Sequence, residues 1–214
     1  PFFWTEIAKR GQVFGDPSRE SAAKVTNGKK FSYPGYNEMF VGFADDRINS
    51  NAPTPNPNVS VLEFLQRKPK YAGRVAAYAT WDVMLAILNQ KRSGIFITAG
   101  WQPIVDDPLS PEQKRVNEVM LSLPVYWKDN TFDVVTLHGA REHLIKHRPR
   151  VLYVGLGETD EWAHGRRYDL YLDAANKADR AISELWQLAQ SLPEYTNRTA
   201  LLITTDHGRG LTGR

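Results

Sequence analysis

The sequence predicts an α/β fold with a mostly parallel central sheet and helices on both faces. Short apolar runs alternate with longer amphipathic stretches, which is typical of parallel strands joined by helical crossovers. Several of the amphipathic stretches begin with residues that favour helix starts. The length of 214 residues favours one domain, spanning 1–214, because no stretch has the composition of a flexible linker.

Four short apolar runs are the candidate strands of this sheet. Residues 151–154 and 201–204 are apolar at most successive positions, so both faces of each strand are expected to be buried, as in a parallel sheet. The predicted strands are residues 74–79, 94–98, 150–155 and 200–205.

Three of the helices are predicted from their ends and their apolar periodicity. Residues 110–113, Ser-Pro-Glu-Gln, have the sequence of a capping box with proline at the first helical position. Thr131 is predicted to cap a second helix that ends at His147, because Pro149 stops it. A third helix is predicted over Tyr168–Ser191, where one apolar stripe recurs at steps of three and four residues. The stripe consists of Leu170, Ala174, Ala178, Ile182, Leu185 and Leu188.

The composition excludes several classes of function. Cysteine is absent, which excludes disulfide scaffolds, thiolate catalysis and cysteine-ligated zinc. The net charge is only +3 and no Lys/Arg run exceeds two residues, so binding to duplex nucleic acid is not expected. No apolar run approaches the roughly 18 residues of a spanning helix, so no membrane span is expected.

Two loop regions carry residues of interest. Pro53, Pro55 and Pro57 constrain the loop 49–58, which is expected to lie extended over the surface. Trp101 and Trp127 stand in later loops, where an indole could stack on a base or a sugar of a substrate. The alternative is that both indoles are packing residues.

An aspartate and a histidine follow each of the last two predicted strands. In open α/β sheets, ligands bind beyond the carboxyl ends of the parallel strands, so both pairs are expected at one edge. Carboxylate and imidazole groups suit zinc or manganese, and four of them are a start on a two-metal site. The alternative is that each aspartate caps a turn or a helix and each histidine is a surface or packing residue. The pairs are Asp160 with His164 and Asp206 with His207.

Ser32 is the candidate nucleophile. It precedes Pro34 at a predicted helix start, where backbone N–H groups converge and favour an oxyanion or a phosphate. The alternative is that Ser32 is only the N-cap of that helix.

His143 and His147 have the four-residue spacing of a zinc pair, but they lie among basic residues without a matching acid pattern. The sequence therefore favours a solvated helix face for these two histidines.

Three motifs in this order resemble the alkaline phosphatase superfamily, in particular its nucleotide pyrophosphatase/phosphodiesterase-like branch. That pattern is a hydroxyl–x–Pro segment, then Asp-x-x-x-His, then Asp-His-Gly. The resemblance covers residues 31–210 and includes an asparagine-containing segment, 49–51, where the family keeps an asparagine that contacts phosphate. The matching residues are Ser32-Tyr33-Pro34, Asp160 with His164, and Asp206-His207-Gly208.

The resemblance implies an alkaline-phosphatase-like core that binds two divalent metal ions, with zinc expected and manganese as the alternative. It implies that Ser32 is the nucleophile and that Asn51 (or Asn49) holds a non-bridging phosphate oxygen. Asp160 and His164 would bind one ion, and Asp206 and His207 the other.

The function implied by the resemblance is a metal-dependent phosphoester hydrolase, a phosphodiesterase or phosphatase that acts on a small-molecule phosphoester. A periplasmic or extracellular location is implied in the same way. The family also uses an aspartate from its first strand and a histidine beyond Asp-His-Gly. We therefore expect 1–214 to be incomplete at both ends, with that aspartate before Pro1 and that histidine after Arg214.

Two alternatives stay open. One is a sulfatase or a mutase of the same superfamily, although Tyr36 stands where the sulfatase motif has arginine. The other is a non-catalytic binding module with the same fold.

Overall fold

A sheet of three parallel strands lies at the centre of the computed structural model, which describes residues 1–29 and 31–208. The spatial order is β2-β1-β3, and Ala77 of β1 is in register with Ile97 on one side and Tyr153 on the other. The predicted α/β class with parallel strands is confirmed, and three of the four predicted strands are present. They are β1 (Val75–Ala79), β2 (Phe96–Ala99) and β3 (Val151–Gly155).

Helices precede the sheet, connect its strands and follow it. A π-helical turn (Phe3–Ile7) continues into α1, and a 3₁₀ turn (Pro17–Arg19) precedes α2. The α-helices are α1 (Ala8–Arg10), α2 (Ser32–Val41), α3 (Val61–Gln66), α4 (Met84–Ile87), α5 (Gln90–Ser93), α6 (Pro111–Ser122), α7 (Asp133–His147), α8 (Glu158–His164) and α9 (Tyr168–Ser191). No helix in the described part of the chain is both long and apolar enough to cross a bilayer.

The helix ends test the capping predictions. The capping box of α6 is present, with Ser110 Oγ accepting from Gln113 N at 3.0 Å and Gln113 Oε1 accepting from Ser110 N at 2.7 Å. Helix α9 has the predicted bounds, and its apolar stripe is buried or half-buried. Helix α7 ends at His147 as predicted, but Thr131 does not cap it. The N–H of Asp133 is satisfied instead by a carboxylate of α8, a contact that no local sequence pattern reveals.

The sheet is covered on both faces. Successive side chains of a strand point to opposite faces, and β1 shows this directly. Val75, Ala77 and Ala79 join an apolar cluster with residues of α2, α3 and α4, whereas Tyr78 joins a second cluster with Val116 of α6 and Ala140 of α7. Strand β3 lies at an edge, so most of its residues are only half-buried.

The prediction of a fourth strand at 200–205 is wrong. Within the described residues, this segment forms no strand and no ladder of hydrogen bonds. Leu201, Leu202 and Ile203 are exposed, Leu202 by 86%. An apolar run becomes a parallel strand only where a neighbouring strand pairs with it and helices cover its faces, and neither condition is met here.

The proline-rich loop 49–58 is anchored more firmly than its composition indicates. Asn56 is fully buried, and its carbonyl accepts from Arg92 Nη1 at 2.7 Å and from Asn89 Nδ2 at 2.8 Å. Arg92 also pairs with the buried carboxylate of Glu63 at 2.8 Å. The expected surface loop is therefore tied to the core at its C-terminal half, which limits the movement of the residues just before it.

Candidate active site at the carboxyl edge of the sheet

Ser32 is the first residue of α2, and its hydroxyl does not cap the helix. Phe31 occupies the N-cap position in an extended conformation and makes no side-chain cap bond. The Ser32 hydroxyl lies 3.0 Å from Nε2 of His207, which follows the segment 200–205. The alternative in which Ser32 is merely an N-cap is therefore wrong, since its side chain faces the Asp-His-Gly motif.

Asn51 lies beside Ser32. Its side-chain oxygen accepts from the backbone N–H of Tyr33 at 3.0 Å. A backbone N–H can only donate, so the atom that faces it is Oδ1 and the Nδ2 amide is left as the donor group of Asn51. The phenol of Tyr33 donates to the carbonyl of Thr54 at 2.7 Å, which ties the same loop to α2.

His207 has two polar neighbours at one ring nitrogen. Nε2 lies 3.0 Å from Ser32 Oγ and 3.3 Å from Asp206 Oδ2. The other ring nitrogen, Nδ1, lies 3.1 Å from the carbonyl oxygen of Gly208. Because a carbonyl oxygen only accepts, Nδ1 is the nitrogen that carries a proton in neutral imidazole, and the Nε2 lone pair faces Ser32 and Asp206.

Asp160 and His164 form the second pair. Both lie on α8, which begins three residues after β3 ends, and their four-residue spacing places them on one helix face. His164 Nε2 lies 3.2 Å from Asp160 Oδ2. The two predicted aspartate–histidine pairs are thus both formed in the structure.

The two pairs are close enough to interact electrostatically. Burial raises the pKa of Asp206, the charge of His207 opposes that rise, and the negative charge of Asp160 adds to it. The pKa of Tyr36 is raised well above its ordinary value, first by burial and then by Tyr153, Asp206 and Asp160. A divalent cation between such carboxylates would offset their mutual repulsion.

Sequence reasoning missed Tyr36 and Tyr153 as residues of this site. Their hydroxyls interact with each other, and the negative charge of Asp206 contributes to raising the pKa of both. The four-residue spacing of Tyr36 from Ser32 on α2 was a usable signal, since it places both on one helix face. Tyr153 gives no such signal, because its place beside α2 depends on how the sheet packs.

Gly35 permits the close approach of α2 to the Asp-His-Gly motif. A Cβ atom at position 35 would overlap the backbone carbonyl of Asp206. Glycine is the only residue that fits without a shift of the backbone. The contact places Ser32 and His207 next to each other through their backbones.

The donor atoms of both pairs fit a zinc ion by type and by spacing. Two atoms bound 2.0–2.1 Å from one tetrahedral zinc lie about 3.3–3.4 Å apart. The observed separations are 3.2 Å for Asp160 with His164 and 3.3 Å for Asp206 with His207. Within residues 1–29 and 31–208, no group of three or more His, Cys, Asp or Glu side chains is assembled to hold one ion. Each pair therefore offers two such ligands, to which Ser32 Oγ adds a third near His207.

The loop tryptophans pack against protein rather than face an open site. The ring of Trp127 lies 5.2 Å from that of Phe132 and 4.7 Å from that of Trp162 on α8. The indole N–H of Trp101 donates to the carbonyl of Trp127 at 2.8 Å. The packing alternative for Trp101 and Trp127 is the one these contacts support.

Only one of the two histidines of α7 lies on a solvated helix face: His147 is exposed, as predicted, whereas His143 is buried. His143 is only 6% exposed, and its ring lies 4.8 Å from that of Phe96 in β2, because α7 packs on the sheet at this point. His147 Nε2 lies 2.7 Å from Asp106 Oδ2. Burial is the main cause that lowers the pKa of His143 to about 4.

Comparisons of the chain with protein-family models, with curated proteins and with solved structures give no match.

Proposed function

We propose that the protein is a metal-dependent phosphoester hydrolase with an alkaline-phosphatase-like core and Ser32 as its nucleophile. The observation that supports this most is the environment of one atom, Nε2 of His207. Both Ser32 Oγ and Asp206 Oδ2 lie within 3.3 Å of this nitrogen. Two further potential ligand atoms therefore lie beside Nε2.

This arrangement favours a cation over a serine–histidine–aspartate relay. In a relay, the aspartate accepts from Nδ1–H while Nε2 takes the proton from serine. Here Nδ1 faces the Gly208 carbonyl, and Asp206 lies on the same nitrogen as Ser32. With Nδ1 as the protonated nitrogen of neutral imidazole, the Nε2 lone pair and the Asp206 carboxylate attract each other only through a proton or a metal cation between them. A histidine that ligates a metal commonly donates its other N–H to a backbone carbonyl, as Nδ1 does here.

Four of these residues form two sets of metal ligands, and two more, Ser32 and Asn51, act on the substrate. Asp206 and His207 hold one divalent ion next to Ser32, and Asp160 and His164 hold the second. When bound, the ions would stabilise the negative charge on the attacking and leaving oxygens of an in-line displacement. We propose zinc, with manganese as the alternative, and a small-molecule phosphoester as the substrate. On the resemblance alone, we also propose a periplasmic or extracellular location.

The chain's own groups carry the covalent step. Ser32 Oγ gives up its proton to water and attacks phosphorus. The bond to the leaving oxygen breaks, that oxygen departs with the electron pair and takes a proton from water, and the phosphoryl group is joined to Ser32. Water then cleaves the bond between Ser32 and phosphorus and regenerates the hydroxyl. The Nδ2 amide of Asn51 is placed to donate to a non-bridging phosphate oxygen, since its Oδ1 is held by Tyr33 N.

The test uses metal-stripped protein titrated with zinc or manganese and assayed on p-nitrophenyl phosphate, its bis ester and its sulfate. Ser32→Ala is expected to retain less than about a hundredth of wild-type turnover, because covalent catalysis is lost. Its zinc affinity should change little, because the hydroxyl is a weak ligand. Ser122→Ala is the matched control, since that exposed hydroxyl donates to the carbonyl of Val119 at the end of α6.

Each of the remaining outcomes would indicate a different class of protein. Sulfate ester cleavage would support the sulfatase alternative. Turnover that survives a chelator but requires Ser32 would indicate a metal-independent serine hydrolase. Tight zinc binding without turnover on any ester would support the non-catalytic module. Phosphoester turnover by Ser32→Ala above about a hundredth of wild type would remove Ser32 as nucleophile.

A further inference from the structure

Helix α8 has two functional faces. Asp160 and His164 lie four residues apart and share one face. Glu158 and Trp162 are also four residues apart, and each lies about 200° around the helix from Asp160, because a helix turns about 100° per residue. The side chains of this second face contact a different part of the protein from the aspartate–histidine pairs.

The second face is held by a reciprocal cap between two helices. Asp133 Oδ1, at the start of α7, accepts from the backbone N–H groups of Gly157 at 2.8 Å and Glu158 at 3.2 Å. Glu158 Oε1, at the start of α8, accepts in return from the backbone N–H of Asp133 at 2.9 Å. Each carboxylate thus satisfies the free N–H groups at the other helix's first turn.

The loop before α7 completes the contact. Asn130 Nδ2 donates to Glu161 Oε1 at 2.6 Å. The ring of Trp162 lies 5.4 Å from that of Tyr126 and 4.7 Å from that of Trp127. Four residues within 126–133 therefore contact α8 along its length, and we call them the α8 cradle: Tyr126, Trp127, Asn130 and Asp133.

Helix α8 needs this support because it is short. It has seven residues, and isolated helices below about 12–15 residues are marginal in water. Close packing below it also limits its position, since a Cβ atom at Gly157 would lie 2.5 Å from Thr80 Oγ1 and 3.1 Å from Asn130 Oδ1. The position of the helix that carries Asp160 and His164 thus depends on contacts made by other residues of α8 and by its N-terminal backbone.

We propose that the α8 cradle positions the Asp160–His164 pair, with Asp133 as the principal positioning residue. Asp133 acts through the backbone N–H groups of Gly157 and Glu158 at the start of α8. The expected effect on metal binding rests on the function proposed above, whereas the expected effect on α8 itself does not.

The first measurement is amide hydrogen exchange of the metal-free protein. Asp133→Ala is expected to speed exchange of residues 157–165 by at least about 10-fold, while α2 and α9 keep their wild-type rates. Asp133→Asn keeps the Oδ1 acceptor and should restore most of the protection. Asp169→Ala is the matched control, an aspartate at the start of α9 that pairs with exposed Arg167. Unchanged exchange over 157–165 in Asp133→Ala would overturn the proposal.

The second measurement is a zinc titration followed by the imidazole NMR signals of His164 and His207. Loss of a residue that orients a ligand typically costs 10- to 100-fold in metal affinity. Asp133→Ala should therefore need about 10-fold or more extra zinc to shift the His164 signal, with the His207 response unchanged and with rescue by Asn. An equal loss at both histidines would indicate general destabilisation and overturn the positioning role.

The two proposals fail in different ways. If zinc shifts neither histidine in the wild type, the proposed function fails, and the exchange result alone then decides the role of the cradle. If Asp133→Ala does not fold, Asn130→Ala removes a single contact to Glu161 and should loosen 157–165 to a smaller degree. Wild-type exchange in that folded variant would count against the cradle.

Discussion

Two pairs of histidines have very different surroundings. His164 and His207 each lie within 3.3 Å of the carboxylate of an adjacent motif residue, at the carboxyl edge of the sheet. His143 and His147 lie on α7 with their rings 4.6 Å apart. Yet His143 is buried against Tyr78 and Phe96, and His147 binds Asp106.

The difference shows that histidine spacing is a weak indicator of chemistry. The α7 pair has the better sequence spacing, but one ring is engaged by the core and the other by a carboxylate that also binds Lys146 and Gln113. His164 and His207 are far apart in the sequence and match no metal-binding spacing, yet each ring has its own carboxylate. Under the proposed function, a carboxylate that is not already held by a lysine is what makes the neighbouring imidazole available to a cation.

The sharpest test of this contrast is zinc affinity. His207→Ala should weaken zinc binding by at least about 100-fold, because removal of a ligand costs more than removal of a residue that only orients one. His147→Ala is the matched control and should leave zinc affinity unchanged within error. Calorimetric titration of both variants measures the difference. Equal losses would erase the distinction between the two pairs.

The acid stability of the protein should depend on the α7 pair. Burial, followed by the charge of His147, lowers the pKa of His143 to about 4, whereas the unfolded chain takes up this proton near pH 6.5. Stability from neutral His143 is therefore full above about pH 6.5 and is lost as the pH falls towards 4. Between pH 7 and 5 the loss should be about 1.8 kcal/mol.

Urea unfolding of wild type and His143→Phe at both pH values measures this contribution. The phenyl ring keeps the packing against Tyr78 and Phe96 but does not titrate. Between pH 7 and pH 5, the wild type should therefore lose that amount of unfolding free energy relative to His143→Phe. An imidazole signal of His143 that titrates near its ordinary pKa would contradict the assignment.

The smallest expected effect concerns Asp106, which holds the exposed end of the α7 pair. Burial would raise the pKa of Asp106, but hydrogen bonds from Lys146, His147 and Gln113 outweigh it and hold the pKa well below its usual range. Asp106→Asn should lower the free energy of unfolding at pH 7 by about 1 kcal/mol. Zinc affinity should not change. The control Asp169→Asn, at an exposed ion pair, should show no measurable change in stability.

Sequence alone predicts the elements whose signals are local. The bounds of α9 follow from an apolar stripe, and the start of α6 follows from a capping box within four residues. Strands β1 and β3 follow from apolar runs that match buried parallel strands. Each of these signals depends on residues within a turn or two of the chain.

The errors arise where a distant partner decides the outcome. Residues 200–205 have the composition of a strand, but strand formation requires pairing that the described residues do not supply. Thr131 has the right side chain for a cap, yet the N–H of Asp133 is satisfied by Glu158, 25 positions away. The burial of His143 depends on α7 packing over Phe96, which no helical pattern predicts.

The residues of the candidate site also fall into those that a local motif indicates and those that depend on packing between distant elements. Ser32, Asp206 and His207 were proposed from motifs, and the structure brings them together. Tyr36 shares a helix face with Ser32, which the four-residue spacing indicates. The places of Tyr153 and of the α8 cradle arise only when α2, β3 and α8 are assembled.

The backbone contact at Gly35 has a consequence for engineering. A side chain at this position would push the Asp206 carbonyl away and carry His207 with it, so the gap between the Ser32 hydroxyl and the imidazole would widen. Under the proposed function, libraries that seek new substrates should therefore keep glycine at 35. The spacing between Ser32 and His207 is then inherited from the main chain, whichever side chains around it are varied.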